Sequence, residues 1–310
     1  MEKIEENKEI KEIKRKKEMK KTICCLTWNM HGQTPTEREL NDLLQKHKEK
    51  NFDIYVIGSQ ECLRSIFKSL FYSDKSIWEN QLKLYFGDEY EMLSSVTLAA
   101  IHIIIFVKKN IRNNINAINY NSVKTGVYNY LGNKGAVGIW FTLININIMF
   151  INSHLAAGYY YLKKRNNNFE YIMNNIHPNY LNVDFIVFMG DLNYRLNLPF
   201  VNVNDIRNNH LNYITYDQLN LEKKEIKKIL NFEEGDIKFL PTFKYINNTD
   251  IFDADKIDKL PAWTDRILFI KRTTIFSVLD VELIEYNSMQ DILMSDHKPV
   301  YSYFNLTFQV

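Results

Sequence analysis

The sequence has few of the residues that mark linkers, disulfide scaffolds or membrane spans. It contains 10 Gly, 6 Pro and 3 Cys among 310 residues. So little Gly and Pro excludes a collagen-like or linker-rich chain, and no apolar run approaches the roughly 20 residues of a membrane-spanning helix. Cys24, Cys25 and Cys62 cannot all pair with one another, and no secretory signal precedes them. We therefore expect a reducing, cytoplasmic compartment.

Net charge is also nearly absent. The chain carries +2 in total, of which residues 1–21 hold +3 and the remainder −1. A domain that holds nucleic acid through its phosphates normally has a basic excess, so the neutral body predicts no nucleic-acid partner. We interpret residues 1–21 as a charged, solvated tail, or as a loose contact to acidic lipid headgroups, because charge runs of this kind are usually tails. Residues 22–310 are predicted to form one large domain.

Eight short apolar segments have the composition of strands, since they are rich in β-branched and aromatic residues and end in polar turns. They are ICCLTWNM, FDIYVIGSQE, LAAIHIIIFVKK, AVGIWFTL, INIMFINSHL, DFIVFMGDLN, RILFIK and PVYSYFNLTF. Two stretches between them place apolar residues on one helix face: Leu40, Leu43, Leu44 and His47 in the first, and Phe169, Ile172, Met173 and Ile176 in the second. The sequence thus predicts an α/β or α+β chain.

Polar, reactive side chains stand at the ends of these strands. Four strands are followed by such a group and two are preceded by one; the residues are Asn29, Glu61, His154, Asp191 with Asn193, then Asp265, and Asp296 with His297. If these positions meet at one edge, the strands must run in both directions, which predicts mixed sheets and disfavours an all-parallel dinucleotide-binding fold. No glycine-rich phosphate loop of the nucleotide-binding type is present.

This residue set suits metal-assisted cleavage of a phosphate ester. Glu61 is a hard oxygen ligand without a nearby Cys/His cluster, so Mg²⁺ held with Asn29 is favoured over zinc. Asp191 could take a proton from an attacking water and Asn193 could donate hydrogen bonds to phosphoryl oxygens. His297 beside Asp296, with Asp265 to orient it, forms a histidine–carboxylate pair that attracts phosphate. Either Asp191 or His297 could be the base.

Each residue taken alone also has a structural interpretation. Asp and Asn after a strand are commonly turn or cap residues, His154 could be a hydrogen-bonded structural histidine, and Asp265–Arg266 could be an ordinary ion pair. Six polar clusters at strand ends in one chain are hard to obtain by chance, and this joint pattern favours a functional site.

Nine blocks carry a family resemblance. TWNMHGQ, YVIGSQE, TGVYNYLGNKGAVGIWF, FINSHLAAG, FMGDLNYRL, YDQL, FLPTFKY, LPAWTDRILF and MSDHKPVY occur in this order. They resemble the signature blocks of the inositol polyphosphate 5-phosphatases, within the magnesium-dependent endonuclease/exonuclease/phosphatase superfamily, over about Thr22 to Phe308. The resemblance implies that residues 22–310 are the catalytic domain. It also implies two mixed β-sheets packed as a sandwich with helices outside, a four-layer α/β/β/α fold.

The same resemblance implies an activity and residue roles. The activity is removal of the 5-phosphate from phosphoinositides, such as phosphatidylinositol 4,5-bisphosphate or 3,4,5-trisphosphate, or from soluble inositol phosphates. Water attacks directly and Mg²⁺ is the cofactor. The metal ligands would be Asn29, Glu61 and Asp296; the catalytic residues would be His154, Asp191, Asn193, Asp265 and His297.

Substrate phosphates need cations. Lys134 lies among glycines whose backbone can approach an anion, and Lys244 and Arg195 stand in the TFKY and NYR blocks, with Arg266 as a further candidate. Phe243 occupies a position where many relatives have Tyr, so a phenol contact to a second phosphate is missing.

Two apolar segments predict contact with an acidic membrane. Val127, Tyr128, Tyr130 and Leu131 precede the glycine loop, while Tyr159, Tyr160 and Tyr161 are followed by Lys163, Lys164 and Arg165. Aromatics beside cations suit the headgroup layer, although these tyrosines could instead pack on the body.

The sequence therefore predicts a monomeric, Mg²⁺-dependent phosphoinositide 5-phosphatase on the cytosolic face of membranes. The alternatives are a superfamily nuclease or sphingomyelinase, and a catalytically inactive phosphoinositide-binding module.

Overall fold

The computed structural model describes residues 18–63, 74–126, 132–223, 231–272 and 279–309. Within these ranges, twelve strands form two six-stranded sheets. The spatial order of the first sheet is β11 (Leu279–Ser288), β12 (Val300–Gln309), β1 (Glu18–Asn29), β2 (Ile54–Gln60), β4 (Ile101–Lys108) and β3 (Tyr90–Leu98). That of the second is β5 (Ile115–Lys124), β6 (Gly135–Leu143), β7 (Ile146–His154), β8 (Phe185–Asp191), β10 (Asp265–Lys271) and β9 (Glu233–Glu234).

Side chains that alternate between the two faces of a strand separate the layers of the fold. In β2, Ile54 and Val56 face the second sheet, whereas Tyr55 and Ile57 face the opposite way and pack under helices. Because successive side chains of a strand point to opposite faces, a strand that is apolar throughout can be covered on both sides. The result is a sandwich of two sheets with helices outside, which confirms the predicted fold class.

Four helices of more than ten residues occur in the described chain: α1 (Glu37–Lys48), α2 (Ser76–Phe86), α3 (Leu162–Ile176) and α4 (Val203–Tyr213). The first two cover the first sheet and α3 covers the second, while α4 contributes Ile206 to the core between the sheets. The predicted faces of α1 and α3 are buried as expected. Residues 218–223 form a further helical segment, and no helix in the described ranges is long and apolar enough to cross a membrane.

Both sheets are mixed, as the strand-end pattern predicted. β1–β2 and β7–β8 are parallel, whereas β12 runs antiparallel to β1, and β10 runs antiparallel to β8. The ends of β1, β2, β7 and β8 and the beginnings of β10 and β12 therefore lie at one edge of the sandwich. This edge carries the candidate site.

The first strand begins earlier than the sequence predicted. Residues 18–21 were placed in the tail, but they belong to β1 and pair with β12 from Glu18↔Gln309 to Lys21↔Leu306. Backbone pairing does not depend on side-chain polarity, and Met19 packs against the core. Residues 1–17 lie outside the described ranges.

Candidate active site

A short polar link joins the two sheets at this edge. Asn29 ends β1 and its Nδ2 donates to Oδ2 of Asp191, at the end of β8, over 3.0 Å. The same nitrogen lies 3.5 Å from Oε1 of Glu61, which follows β2. Ser295 holds Asn29 in place by donating from Oγ to its carbonyl oxygen, over 2.6 Å. The predicted metal ligand and the predicted proton acceptor are thus brought to one place.

Two turns of the site have left-handed backbone. Glu61 has φ 49° and Asn193 has φ 57°, a region that non-glycine residues occupy rarely and that concentrates at functional sites. The Asn193 turn is closed by its own N–H, which donates to Oδ1 of Asp191 over 3.1 Å. An Asx turn of this kind stabilises the end of β8 through a local hydrogen bond.

His297 is held by a buried carboxylate. Its Nδ1 lies 2.9 Å from Oδ2 of Asp265, which also accepts from Oγ1 of Thr242 at 2.7 Å and of Thr264 at 2.9 Å. Burial alone would lower the pKa of His297, but Asp265 and Asp191 outweigh it and raise that pKa to about 9. His297 is therefore an imidazolium at neutral pH, and its Nε2 lies 4.0 Å from Oδ2 of Asp191.

Asp191 is ionised by its surroundings. Burial opposes ionisation, yet His297, His154 and Lys134 together hold the pKa of Asp191 well below its usual range. His154 approaches from β7, with its Nε2 3.2 Å from Oδ2 of Asp191. A buried carboxylate among several cationic or hydrogen-bonding groups stays charged.

His154 itself is neutral. Burial and the neighbouring Lys134 lower the pKa of His154, and Lys134 Nζ contacts its Nε2 directly. Burial also lowers the pKa of Lys134, to about 8. His154 Nδ1 is buried and without a hydrogen-bond partner among the described residues. Lys134 thus supplies the positive charge beside His154, and the catalytic role of His154 stays a prediction.

A second ion-pair chain lines the rim. Asp296 Oδ1 lies 3.1 Å from Nδ1 of His31 and its Oδ2 lies 2.6 Å from Nζ of Lys244. Burial opposes ionisation of Asp296, but His31, His297 and Lys244 together lower its pKa. Asp296, predicted as a metal ligand, is thus in contact with His31 through one oxygen and with Lys244 through the other, and its role as a metal ligand stays a prediction. Its visible role is to hold Lys244.

Arg195 supports Asn193. Its NH2 donates to Oδ1 of Asn193 over 2.7 Å, and its NH1 donates to the carbonyl oxygen of Asp258 over 2.8 Å. The guanidinium also stacks 4.3 Å from the ring centroid of Phe243. These contacts leave Arg195 only 5% exposed, and its binding of a ring phosphate stays a prediction.

Arg266 does not reach the site. It is 0% exposed, and its guanidinium pairs with Glu234 through Nε at 2.6 Å and with Asp217 through NH1 at 2.8 Å. The prediction that it binds substrate is corrected, because β10 alternates and sends Arg266 to the face opposite to Asp265. The sequence showed no sign of these two acidic partners.

The loop that follows β7 exposes two of its three tyrosines. Tyr160 is 79% exposed and Tyr161 is 54% exposed, with Lys163 and Lys164 also exposed. Arg165, which the sequence grouped with these cations, is instead buried. It donates to the carbonyl oxygens of Ala156, Gly158 and Tyr159 and to Gln218, so it shapes the loop from within. Val127, Tyr128, Tyr130 and Leu131 lie outside the described residues.

The residues at the edge fit a hard divalent cation. The carboxylate of Glu61 has no hydrogen bond in the described chain other than the long contact to Asn29, so its oxygens are open, and Asp191 adds a second ionised carboxylate. Oxygen ligands of this kind suit Mg²⁺. A different trio, Asp191, Asp265 and His297, also has ligand atoms within 4.8 Å of one another. It is a poorer metal site, because two of its members, Asp265 and His297, are already bonded to each other over 2.9 Å.

Several residues of the site were not predicted. His31, Thr242, Thr264 and Ser295 all contact predicted residues. Each stands in a block that was quoted for the resemblance, but the partners of His31, Thr242 and Ser295 are more than twenty residues away in the chain. Only the folded chain reveals such partners.

Two mixed sheets that carry Asn, Glu, Asp and His at one edge define the class of endonuclease/exonuclease/phosphatase proteins. The model of endonuclease/exonuclease/phosphatase family 2 matches residues 26–303. Among solved structures, the inositol polyphosphate 5-phosphatase domain of SPsynaptojanin, in complex with inositol (1,4)-bisphosphate and calcium ion, has a TM-score of 0.84 and 30% identity. The match covers 100% of this chain and 91% of that one. The chain belongs to the inositol polyphosphate 5-phosphatase family within this superfamily.

The curated relatives are also named as 5-phosphatases. The chain is 32% identical to inositol polyphosphate 5-phosphatase K of Mus musculus, over 92% of this chain and 66% of that protein. It is also 32% identical to phosphatidylinositol 3,4,5-trisphosphate 5-phosphatase 1 of Homo sapiens, over 91% of this chain and 26% of that protein. The chain thus spans about two thirds of the first relative and a quarter of the second.

Proposed function

We propose that this chain is a metal-dependent phosphatase that removes the 5-phosphate of phosphoinositides, and of soluble inositol polyphosphates, by direct attack of water. The observation that carries the proposal is the convergence of Asn29, Asp191 and His297 at one edge, linked by 3.0 and 4.0 Å contacts. The named activities of the mouse, human and SPsynaptojanin relatives support the choice of substrate class.

Charge complementarity explains how the chain's own groups act on phosphate. Asp191 is an anion that can orient the attacking water and accept its proton. The transition state of phosphoryl transfer is loose, so the proton leaves late and a weakly basic carboxylate is sufficient. His297 is a cation held by Asp265 and can donate to a phosphoryl oxygen. Arg195 holds the side chain of Asn193, whose amide has one hydrogen left to donate to a phosphoryl oxygen.

Glu61, with Asn29 and Asp191 nearby, would hold Mg²⁺. When bound, a divalent cation neutralises charge on the phosphoryl oxygens and on the leaving alkoxide. Lys134 contacts His154, which adjoins Asp191, and Lys244 contacts Asp296 at the rim, so two lysines are available for anionic groups. We assign them to the remaining phosphates of the inositol ring.

Phosphate release tests the reaction directly. The purified chain, assayed with malachite green over all seven phosphoinositides and two soluble inositol phosphates, should release phosphate from substrates that carry a 5-phosphate, and EDTA should abolish the release. Abasic DNA and sphingomyelin should remain uncleaved. Substantial turnover in EDTA would contradict the metal assignment, and binding without turnover would identify an inactive phosphoinositide-binding module.

We further infer peripheral contact with acidic membranes at the cytosolic face, through Tyr160, Tyr161 and the adjoining Lys163 and Lys164. Large exposed aromatic rings next to lysines match the headgroup layer in both polarity and charge. Changing Tyr160 and Tyr161 together to Ser should weaken co-flotation with phosphatidylserine vesicles and slow hydrolysis of vesicle-borne lipid, while hydrolysis of a soluble inositol phosphate is kept. Tyr120→Ser is the matched control, since Tyr120 is 66% exposed on β5. Equal losses in both variants would remove the loop from the membrane contact.

A further inference from the structure

A pair of amide side chains crosses the apolar interior directly beneath the candidate site. Gln60 ends β2 in the first sheet and Asn152 lies on β7 in the second, and both are 0% exposed. Nε2 of Gln60 donates to Oδ1 of Asn152 over 2.5 Å. Glu61 follows Gln60 immediately, and His154 lies two residues after Asn152. The amide pair therefore adjoins one functional residue on each sheet.

Further hydrogen bonds spread this link over the first sheet. Nδ2 of Asn152 donates to the carbonyl oxygens of Ser59, over 3.0 Å, and of His102, over 2.8 Å. Ser59 and His102 are paired partners of β2 and β4. Gln60 also donates to Oγ1 of Thr27, two residues before Asn29, over 3.0 Å. Asn152 of the second sheet thereby binds β2 and β4 directly and reaches β1 through Gln60.

The first sheet leaves space for this crossing. A Cβ atom at Gly58 would lie 2.7 Å from Cγ and from Oδ1 of Asn152, a separation that side chains do not tolerate. Only glycine at this position of β2 lets the Asn152 amide reach the backbone beyond it. Gly58 is therefore a separate observation that the packing of the two sheets accommodates the Asn152 amide.

Stability alone does not account for a polar pair at this depth. The surrounding core between the sheets consists of apolar side chains such as Val56, Ile103 and Val137. Burying an amide there costs free energy that its hydrogen bonds only offset, and apolar residues of the same shape often serve folding equally well. Hydrogen bonds are directional, whereas apolar contacts between two sheets fix the relative position of the sheets only weakly.

We propose that Gln60 and Asn152 are positioning residues that set the separation between Glu61 with Asn29 on the first sheet and His154 with Asp191 on the second. The proposal rests on the proposed function for its catalytic readout. Neither amide needs to touch substrate. Their effect passes through the backbone of the adjoining strand ends, where a displacement of about 1 Å can cost about 10²-fold in rate.

The test uses near-isosteric apolar variants: Gln60→Met, Asn152→Leu and the double variant. Each should lower kcat roughly 10- to 100-fold with little change in KM, and should weaken Mg²⁺ binding by a similar factor, as loss of a supporting shell typically does. Mg²⁺ binding is measured by titration calorimetry without substrate, so this readout does not depend on turnover. Phe150→Leu, in the apolar core on the same strand, is the matched control for loss of packing.

Thermal unfolding separates positioning from stability. Each single variant leaves a buried amide group unpaired and should lower Tm, whereas the double variant should regain part of that loss, because both members of the contact are gone. We expect its kcat and Mg²⁺ affinity to stay low all the same, and Phe150→Leu to lose Tm with kcat kept. If kcat and Mg²⁺ affinity recover together with Tm in the double variant, or never fall in the single variants, the positioning role is overturned. An inactive wild type that binds Mg²⁺ normally would instead refute the proposed function.

Discussion

At the scale of single residues, protonation in the site is decided by neighbours. Asp191 is kept ionised by His297, His154 and Lys134, although it is buried. His297 is kept protonated by Asp265 and Asp191. A buried anion and a buried cation about 4 Å apart provide opposite functions for one reaction, which is the pattern expected of an acid–base site.

Removing the charge of Asp191 should therefore stop turnover without unfolding the chain. Asp191→Asn keeps the shape and one oxygen acceptor, but it cannot take a proton, so kcat should fall by about 10² or more. Steady-state phosphate release measures this at a temperature where the variant is folded, because loss of the Asp191 charge leaves the His297 cation less compensated and should lower the melting temperature. Retention of more than a tenth of wild-type kcat would contradict the role given to Asp191.

The sequence predicted which residue types gather at the edge, but not how they pair. Asn29, Glu61 and Asp191 could be found because each ends an apolar strand. The pairing of Asp296 with His31 and Lys244 could not, since it depends on how loops far apart in the chain fold over the edge. The structural role of Arg266 was missed for the same reason.

At the scale of elements, a buried ion-pair network fastens β10 to its surroundings. Arg266 on β10 binds Glu234 on β9 and Asp217, which precedes the helical segment 218–223. All three side chains are 0 or 1% exposed. Removing one member of such a network leaves uncompensated charge in the interior.

Arg266→Met should for this reason destabilise the chain by about 3–5 kcal/mol, the usual cost of breaking a buried ion pair from one side. Denaturant unfolding measures the loss. KM, assayed well below the melting temperature, should be unchanged because the side chain faces away from the pocket. A raised KM in a chain of normal stability would restore Arg266 to the substrate site. Lys223→Met is a suitable comparison, since Lys223 contacts Glu234 from a partly exposed position at 3.5 Å.

Elements were predictable where both faces of a strand are covered. The eight predicted segments correspond to β1, β2, β4, β6, β7, β8, β10 and β12. β3, β5, β9 and β11 were not predicted, and in the described sheets all four of these are edge strands. β5, for example, is mostly exposed. Edge strands lack a continuous apolar pattern because one side faces solvent, so periodicity alone cannot find them.

At the scale of the whole molecule, the interior contains histidines that folding keeps neutral. Burial lowers the pKa of both His47 and His102 to about 3. His47 is held by Tyr303, whose hydroxyl lies 2.6 Å from its Nδ1. The unfolded chain binds a proton at each position near pH 6.5, whereas the folded chain does not until the pH is much lower.

Stability should accordingly fall as pH decreases from 6.5 to 4.5, before the carboxylates titrate. The folded pKa of each histidine lies below the unfolded one, so its contribution is complete above pH 6.5 and is lost as the pH falls, at up to about 1.4 kcal/mol per pH unit for each group. Denaturant unfolding across this range measures the slope, and His47→Gln should reduce it. His210→Gln is the control, because His210 is only partly buried. An unchanged slope in His47→Gln would contradict the assignment.

The position of β12 between β11 and β1 affects how the chain folds during its synthesis. β12 lies between β11 and β1 in the first sheet, and it pairs with β1 across more than 270 residues of chain. During translation, β1 must wait for this neighbour until the ribosome has passed the whole second sheet, and His297 emerges only just before it. Contacts so distant in sequence form slowly and expose unpaired strand edges in the interim. A nascent chain is thus expected to depend on chaperones for most of its synthesis, and to acquire its chemistry in the step that completes the sheet.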